Sequence, residues 1–437
     1  MYAIAIDLGT TTLAVSLIET ASGERLAMSA GLNPQRSFGA DVVSRLAAAV
    51  ESDRAQQEMT ALIRSELQRL AHEVCRQSGV AWSDVGQVAI AGNPAMQHLL
   101  LGLAVRKLAF PPYRPLYTCG THLAFSDLGW EGGAEAYVFP MPGGFVGGDT
   151  VAFLFGERGS GTGDQEPGTG KTVVVHPSPL PAPRSLYLDM GTNGEMALEV
   201  GDTIWATSAA AGPAFEGGNL SCGMAALPGA ISSLRIDGER VQTVVIGNVS
   251  PQGICGSGVI EAITQLLGQG VIEPGGRMRD SAEIPSNLAG RVLFWNGENA
   301  FVLHRDAQRL LLLSQTDIRQ IQLATGAIRA GLEVLYTRAG ISPGALERVV
   351  LTGSFGAVLR PEWLKTVGIF DEGMVHITTF IPTGALAGAE RALMCADRFD
   401  AVERLADRFR VVPLSGTALF EKLFLKYLNF PGHEPKG

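Results

Sequence analysis

Two segments of the sequence combine an aspartate, a glycine and hydroxyl side chains at the end of an apolar run. Residues 4–11 read IAIDLGTT and residues 186–195 read LYLDMGTNGE, so both contain Asp-x-Gly-Thr. Glycine lets the backbone approach a phosphate, hydroxyl and amide groups donate hydrogen bonds to it, and aspartate binds magnesium, usually through water. The repetition predicts a duplicated domain with one phosphate loop in each half and ATP between the halves.

A third segment places small residues after another apolar run. Residues 349–356 read VVLTGSFG, and only small side chains would let a purine or ribose lie on the backbone there. Any single Asp-x-Gly-Thr can equally be an ordinary strand-to-turn junction, since Asp and Gly both favour turns. The three segments in this order resemble the phosphate-1, phosphate-2 and adenosine motifs of the acetate and sugar kinase, Hsp70 and actin (ASKHA) superfamily.

That resemblance implies an α/β fold with two RNase H-like lobes and an ATP cleft between them. It also assigns a role to each segment. Asp7 and Asp189 would organise Mg²⁺ through water. The phosphates of ATP would bind Gly9, Thr10, Thr11, Gly191, Thr192, Asn193 and Gly194, and the adenosine would bind Gly353, Ser354 and Phe355.

Two further carboxylates are candidates for positioning the water that attacks the γ-phosphate. Asp149 is the first candidate and Glu216 the second, because each lies in a glycine-rich turn where a carboxylate can face a ligand. Turn formation or helix capping is the alternative explanation for both residues.

Composition limits the class of protein and its partners. A chain of 437 residues is too long for one ordinary core, which predicts about two or three domains. The net charge of −9, with no evident cluster of Lys and Arg, predicts no nucleic-acid partner. The first residues lack a basic signal-peptide region and no apolar run approaches membrane-spanning length, so we expect a soluble cytoplasmic protein with no membrane partner.

The cysteines and histidines form no recognisable ligand set. The five cysteines are widely separated and include no Cys-x-x-Cys pair, which predicts neither a disulfide framework nor an iron–sulfur cluster within the chain. The seven histidines show no metal-ligand spacing. His98 lies in an apolar stretch, where a packed or capping role is the more frequent one.

Hydrophobic periodicity and composition divide the chain into two parts. Strand patterns at 2–6 and 13–18 and a long helical pattern at about 41–76 begin the first part as an RNase H-like unit begins. Between 157 and 184 the composition shifts to Gly, Ser, Thr and Pro, and we place the boundary of domains 1–184 and 185–437 there. In the second domain, apolar spacing predicts a helix over 315–339 that starts at a Ser314–Asp317 capping box and ends at Gly340.

Segments around and outside the phosphate loops carry a narrower resemblance. They are residues 33–35 (NPQ), 39–42 (GADV), 91–93 (AGN) with Met96 and His98, 147–150 (GGDT), 211–217 (AGPAFEG), 253–258 (GICGSG), 317–318 (DI), 322–324 (QLA), and Gly353 with 355–356 (FG). Together they span essentially the whole chain and resemble the ATP-dependent reductive activators of corrinoid proteins. The resemblance implies nucleotide contacts for Gly256, Ser257 and Gln322, and a corrinoid methyl-transfer protein whose cobalt(II) is returned to cobalt(I).

The sequence departs from that family in two places. Family members usually carry an N-terminal ferredoxin-like domain with cysteine ligands for a [2Fe–2S] cluster, whereas this sequence begins at the first predicted ATP strand. It is therefore either the ATPase half of a split system, with a separate ferredoxin-like electron donor, or a relative with another client; we expect the separate donor. After residues 322–324 the family pattern has a lysine where this sequence has Thr325, which puts any phosphate contact of that lysine in doubt. An Asp-x-His-x-x-Gly corrinoid motif is absent, so the corrinoid would belong to the partner. A homodimer is compatible with all of this.

Two other functions fit the same superfamily. A small-molecule kinase would pass the γ-phosphate to a sugar or carboxylic acid, but it needs a hydroxyl base and a polar substrate set in the first half that we do not identify. A non-catalytic ATP-dependent conformational switch would bind ATP without a chemical step. The preferred prediction is an ATPase that assists corrinoid reduction.

Overall fold

The computed structural model describes residues 1–157, 184–238, 240–353 and 359–432. The chain forms two compact units. Unit 1 consists of Met1–Pro183, Glu199–Thr207 and Thr383–Val412, and unit 2 of Arg184–Leu198, Ser208–Pro382 and Pro413–Gly437. The predicted Gly- and Pro-rich connection, and Ser354 and Phe355 of the adenosine motif, lie outside the described residues. The division into domains at 184 and 185 stays a prediction.

Residues 1–157 contain six strands and five α-helices. The strands are β1 (Tyr2–Leu8), β2 (Thr12–Glu19), β3 (Arg25–Leu32), β4 (Val85–Gly92), β5 (Thr121–Ala124) and β6 (Glu135–Val138). The helices are α1 (Val42–Glu51), α2 (Asp53–Ser78), α3 (Pro94–Leu101), α4 (Arg106–Ala109) and α5 (Gly148–Glu157).

The six strands form one mixed sheet in the order β3-β2-β1-β4-β6-β5. The first three make an antiparallel meander, and β4 then pairs in parallel with β1, as β6 does with β4. The register places Leu8 of β1 beside Gly92 of β4. The turn after β1 and the turn after β4 therefore leave the sheet at the same edge.

The long helix predicted over 41–76 is two helices in the structure. Asp41 caps α1 by accepting a hydrogen bond from the Ser44 N–H, and Ser52 then adopts an extended conformation at φ −147° and ψ 115°. Ser52 also accepts a hydrogen bond from the Ala55 N–H and so begins α2, which ends at Gly79. The apolar spacing alone predicts one continuous helix, but a serine that caps a second helix ends the first.

The described residues from 184 onward contain twelve strands and seven α-helices. The strands are β7 (Ser185–Met190), β8 (Gly194–Val200), β9 (Thr203–Ala209), β10 (Ala230–Asp237), β11 (Arg240–Val245), β12 (Gly253–Ile254), β13 (Val292–Trp295), β14 (Glu298–Arg305), β15 (Leu310–Ser314), β16 (Arg348–Thr352), β17 (Thr378–Phe380) and β18 (Phe409–Val411). The helices are α6 (Gly256–Gly268), α7 (Gln315–Ala339), α8 (Pro361–Thr366), α9 (Glu372–Val375), α10 (Gly384–Met394), α11 (Arg398–Ala406) and α12 (Ala418–Lys426).

The second six-stranded sheet repeats the plan of the first. Its order is β17-β16-β7-β8-β9-β18, so β9-β8-β7-β16-β17 occupy the places that β3-β2-β1-β4-β6 take in the first sheet. As in the first sheet, the strand next to the meander pairs in parallel, here β16 with β7. Two three-stranded sheets, β11-β10-β12 and β13-β14-β15, complete the strands. The shared order is what the repeated Asp-x-Gly-Thr predicts.

Helix α7 has the bounds and the caps expected from the sequence. Ser314 accepts a hydrogen bond from the Asp317 N–H, the Asp317 carboxylate accepts one from the Ser314 N–H, and Gly340 ends the helix at φ 67°. None of the described helices is both long enough and apolar enough to span a membrane.

The core of unit 1 lies on both faces of its sheet. On one face, α2 packs Met59, Ile63 and other apolar residues against β2 and β3. On the other, α10 lies against α5, β1 and β4. A Cβ built on Gly388 of α10 would overlap the Ala152 carbonyl of α5, so the two helices meet at a distance that only glycine allows.

Candidate functional site

The first predicted phosphate loop is the turn between β1 and β2. A Cβ on Gly9 would overlap the carbonyl of Thr12, so this tight turn requires glycine. Asn33 binds the loop twice, because its N–H donates to the Thr11 carbonyl and its Nδ2 donates to the Gly9 carbonyl, both at 2.9 Å. These two hydrogen bonds hold the backbone of the loop in place.

Asn93 holds the same loop from the end of β4. Its Nδ2 donates to the Thr10 hydroxyl at 2.9 Å, while its Oδ1 accepts from the Met96 N–H and caps α3. Asn33 is used in the same way, since its Oδ1 accepts from the Gln35 N–H and caps a short 3₁₀ helix. Both asparagines therefore start a helix with one side-chain atom and position the phosphate loop with the other.

Asp7 lies near the end of β1, and its carboxylate interacts with that of Asp149, which begins α5. Loss of surrounding water, and then the charge of Asp149, raise the pKa of Asp7 to about 7. Loss of water raises the pKa of Asp149 to about 6, although hydrogen bonds from Thr150 oppose the shift. Two neighbouring carboxylates with raised pKa values repel each other when both are ionised. A bound divalent cation would stabilise their ionised forms.

The turn that carries Asp149 is packed against the end of β4. A Cβ on Gly147 would lie 2.6 Å from the Asn93 Cα, and the Gly148 N–H donates to the Gln97 side chain at 3.3 Å. The structure thus brings the first phosphate loop, Asp7 and Asp149 together within unit 1. The catalytic role of Asp149 stays a prediction.

The second predicted phosphate loop follows β7 in unit 2. The Gly191 N–H donates to the Asn193 carbonyl at 2.9 Å, and Gly194 is packed so closely that a Cβ would lie 2.8 Å from Ile328. Asp189 pairs in register with Thr352 of β16. Since β16 runs parallel to β7, Gly353, with φ 140°, leaves the sheet at the edge that carries this loop.

Glu216 binds the second phosphate loop directly. Its carboxylate accepts hydrogen bonds from the Thr192 N–H at 3.2 Å and from the Thr192 hydroxyl at 2.8 Å. It ends a 3₁₀ helix, Pro213–Glu216, that lies between two glycines with positive φ. In this structure Glu216 positions the loop, and its role toward water stays a prediction.

The residues assigned by family resemblance are also in unit 2, and Gly256 packs against the 3₁₀ helix that carries Glu216. Gly256 begins α6, where a Cβ would overlap the Phe215 carbonyl, and the buried Ser257 hydroxyl donates to the Ser232 carbonyl at 2.9 Å. The Gln322 Oε1 accepts from Arg319. Thr325, at the position of the expected lysine, is buried and donates to the Gln322 carbonyl at 3.3 Å. Their contacts to a nucleotide stay predictions.

The loop-binding asparagines are the functional residues that sequence reasoning missed. They appeared in the family resemblance without a role. The available signal was that both precede proline, as Asn33-Pro34 and Asn93-Pro94, which is typical of a capped helix start. That signal predicts the cap but not the second bond to the phosphate loop.

The donor set suits magnesium. Within the described residues, no group of three or more His, Cys, Asp or Glu side chains could hold a metal ion alone. Mg²⁺ is ordinarily held by one or two carboxylates together with waters and substrate phosphates, so the Asp7–Asp149 pair beside a phosphate loop fits it. The partnership of Asp7 and Asp189 expected from sequence stays a prediction.

Comparisons with known proteins identify relatives of both parts of the chain. Residues 184–436 match a family model described as the C-terminal domain of RACo, the ASKHA domain, and residues 2–157 match one described as the RACo middle region. The corrinoid activation enzyme RamQ of Eubacterium limosum is 29% identical over 410 residues, which cover 90% of this chain and 64% of RamQ. The chain therefore spans somewhat less than two thirds of that relative.

Two further proteins extend the likeness. The [Co(II) methylated amine-specific corrinoid protein] reductase of Methanosarcina barkeri is 25% identical over 467 residues, covering 98% of this chain and 77% of the reductase. A solved structure, the reductive activator for corrinoid, iron–sulfur protein, superposes with a TM-score of 0.85 at 26% identity, covering 99% of this chain and 67% of the activator. The predicted α/β fold of the ASKHA type is confirmed by these matches.

Proposed function

Because the chain belongs to the RACo family, we propose that it is an ATPase that assists the reduction of a corrinoid methyl-transfer protein. The cobalt(II) of that protein takes up one electron from a ferredoxin-like donor and becomes cobalt(I), while ATP and water become ADP and phosphate. The names of the relatives support the client, since RamQ is a corrinoid activation enzyme and the Methanosarcina protein reduces a corrinoid protein.

The observation that carries the ATPase proposal is the Asp7–Asp149 pair beside a firmly held phosphate loop. Asp7 would hold a magnesium ion through water, and Asp149 would accept a hydrogen bond from the attacking water. A bound magnesium ion would supply positive charge to the phosphate oxygens.

The loops bind and orient the nucleotide. In the first loop, backbone N–H groups of Gly9–Thr11 donate to phosphate oxygens. In the second loop, Gly191–Gly194, those of Asn193 and Gly194 donate, because the Gly191 and Thr192 N–H groups are bonded to the Asn193 carbonyl and to Glu216. Gly353, which follows β16, begins the segment that receives the adenosine. Glu216 keeps the Thr192 backbone in place by accepting both of its hydrogen bonds. A loop that needs no rearrangement when ATP binds loses less entropy on binding.

ATP is needed because reduction to cobalt(I) is uphill for ordinary cellular donors. A protein whose ATP-bound conformation binds the client better in the form that accepts an electron shifts the client toward that form. Hydrolysis then returns the activator to a conformation that releases the client. The free energy of ATP hydrolysis thereby drives the reduction, because the two nucleotide states of the activator bind the client with different affinities.

The test is a visible-absorption assay of cobalt oxidation state. The cobalt(II) form of a corrinoid methyl-transfer protein is mixed with reduced ferredoxin-like donor and this chain, with and without MgATP. We expect cobalt(I) to accumulate only with MgATP and the client to raise the rate of phosphate release, because linkage acts in both directions. Cobalt reduction indifferent to ATP, together with phosphorylation of a sugar or carboxylic acid, would support the kinase instead.

A further inference from the structure

A surface segment of unit 1, residues 106–119, differs from the rest of the protein in charge and exposure. We call it the basic segment. It runs from α4 to the residue before Gly120, and most of its side chains are exposed. The exposed members include large apolar and aromatic residues, with Phe110 49%, Leu116 38% and Tyr117 51% exposed. Aromatic side chains left in water on a folded unit commonly mark an interaction site.

The basic segment is positively charged in an acidic protein. From residue 85 to residue 126 the sequence contains no Asp or Glu, whereas the whole chain has a net charge of −9. Arg106, Lys107 and Arg114 are exposed, and none of them forms an ion pair in the part of the chain that the structure describes. By contrast, Arg69 and Arg277 each contact two carboxylates. The three unneutralised cations are available to an outside partner.

The cations alternate with the aromatic residues, which is why their clustering is inconspicuous in the sequence. Arg106 lies over the Phe110 ring at 5.4 Å from its centroid, and the Arg114 N–H donates to the Lys107 carbonyl at 2.9 Å. The Tyr113 ring packs on Phe145, with centroids 5.7 Å apart. The basic segment is therefore folded back on itself. These contacts hold its backbone in one conformation and leave its cations and aromatic rings at the surface.

Helix α3 connects the basic segment to the first phosphate loop. At its start, Asn93 binds the Thr10 hydroxyl. At its other end, the buried His98 accepts a hydrogen bond from the Leu116 N–H at 3.1 Å through Nε2, while its Nδ1 lies 2.7 Å from the Pro94 carbonyl. Burial lowers the pKa of His98, in keeping with a neutral ring that accepts at Nε2 and donates at Nδ1.

We propose that the basic segment is the surface by which unit 1 binds an acidic face of the corrinoid protein. This inference rests on the proposed function for the class of partner. The three cations supply charge complementarity and steer the encounter, while Phe110, Leu116 and Tyr117 supply the apolar area that holds the complex. Because α3 contacts both this segment and Thr10, the partner binds next to the element that positions the nucleotide loop.

A protein fits this surface better than a nucleic acid. Affinity for nucleic acid comes from neutralising many phosphates, and three cations on a chain of net charge −9 provide few such contacts against a repulsive background. An acidic protein face needs only a few pairs around an apolar centre. If the basic segment bound a labelled single-stranded RNA and did not bind the corrinoid protein, the proposal of a protein partner would be overturned.

The experiment uses charge reversal with a matched control. The test variant is Arg106→Glu, Lys107→Glu and Arg114→Glu in one chain. The control is Arg36→Glu, Arg54→Glu and Arg76→Glu, three exposed cations of the same unit, so that both variants change the net charge equally. Binding of the cobalt(II) corrinoid protein that the wild type activates is measured by calorimetry at two salt concentrations.

We expect the test variant to bind about tenfold or more weakly at low salt, with much of the salt dependence lost, and the control to bind as the wild type does. Melting temperature and basal ATP hydrolysis should be unchanged in both, while stimulation by the corrinoid protein falls only in the test variant. A second variant, Leu116→Ala with Tyr117→Ala, leaves the Arg106–Phe110 contact in place and should weaken binding without altering its salt dependence.

Three results would overturn the inference. Equal binding by the test variant and the wild type would exclude the basic segment while leaving the proposed function intact. An equal loss in the control would show that only net charge matters. Failure of the wild type to bind or reduce any corrinoid protein would remove the proposed function, and this inference with it.

Discussion

Asn33 and Asn93 show how one residue type serves two purposes at the nucleotide loop. In each, Oδ1 accepts a backbone N–H and begins a helix, and Nδ2 donates to the loop that carries Gly9 and Thr10. An aspartate would keep the cap but could not donate. Amide side chains at these positions therefore couple the start of a helix to the shape of the loop.

At the same scale, Asp7→Asn should make the ligand-free protein more stable and remove its response to MgATP. Removing one of two neighbouring carboxylates should raise the melting temperature of the ligand-free protein at pH 8 by about 2–4 °C, if the repulsion is about 1 kcal/mol. The melting-temperature increase that MgATP gives the wild type should be lost. Scanning calorimetry with and without MgATP measures both, and Asp84→Asn, an exposed aspartate of the same unit, is the control.

The increase in melting temperature caused by Asp7→Asn should depend on pH. The pKa of Asp7 is raised in the folded protein to about 7 from an ordinary 3.8, so the folded wild type binds this proton more tightly than the unfolded chain does. The stability of the wild type therefore falls as pH rises from about 4 to about 7. The advantage of Asp7→Asn should be largest at pH 8 and shrink toward pH 5. A full MgATP shift in the variant would refute the assignment of Asp7.

Among the elements, α5 and α10 are held by a glycine contact. A Cβ on Gly156 would lie 3.1 Å from the Gly388 Cα, and one on Gly388 would overlap the Ala152 carbonyl. Helix α5 also carries Asp149 in its first turn. The separation of the two helices thus affects the position of a carboxylate in the candidate site.

Gly388→Ala should therefore be costly although alanine favours helices. Overpacking of this kind costs about 1–3 kcal/mol, which urea unfolding followed by circular dichroism would measure. Gly133→Ala is the matched control, since a Cβ there meets nothing within 4 Å and we expect a change near zero. A stable Gly388→Ala variant would mean that α10 can move away from α5 without penalty.

The elements also show where sequence reasoning stops. Helix α7 could be predicted to its ends, because Ser314, Asp317 and Gly340 are local signals that agree with the apolar spacing. The turns after β1 and β7 could be predicted because Gly9 and Gly191 directly follow these strands, while the role of the turns as phosphate loops stays a prediction. The bonds from Asn33 and Asn93 could not, since they join residues 24 and 83 positions apart. Such contacts depend on strand order, which periodicity does not encode.

For the whole molecule, the proposed function makes the source of the electron testable. Cys75 and Cys255 are buried in different units, and within the described residues no group of three or more His, Cys, Asp or Glu could hold a metal ion. With MgATP and the corrinoid protein alone, we expect cobalt to remain cobalt(II) under anaerobic conditions. Adding reduced ferredoxin-like protein should produce cobalt(I). Stoichiometric iron and sulfide in the purified protein would contradict this expectation.

The composition of unit 1 has a consequence for how the protein is made. Its segments Glu199–Thr207 and Thr383–Val412 follow the first strand by about 200 and 380 residues. They bring α10, which covers β1 and β4, and Glu390, whose carboxylate binds Ser16 and Arg25. During synthesis, β1 is therefore made about 380 residues before α10, the helix that covers one of its faces. We expect that face of the nascent chain to stay exposed, and therefore open to aggregation, until α10 has been made.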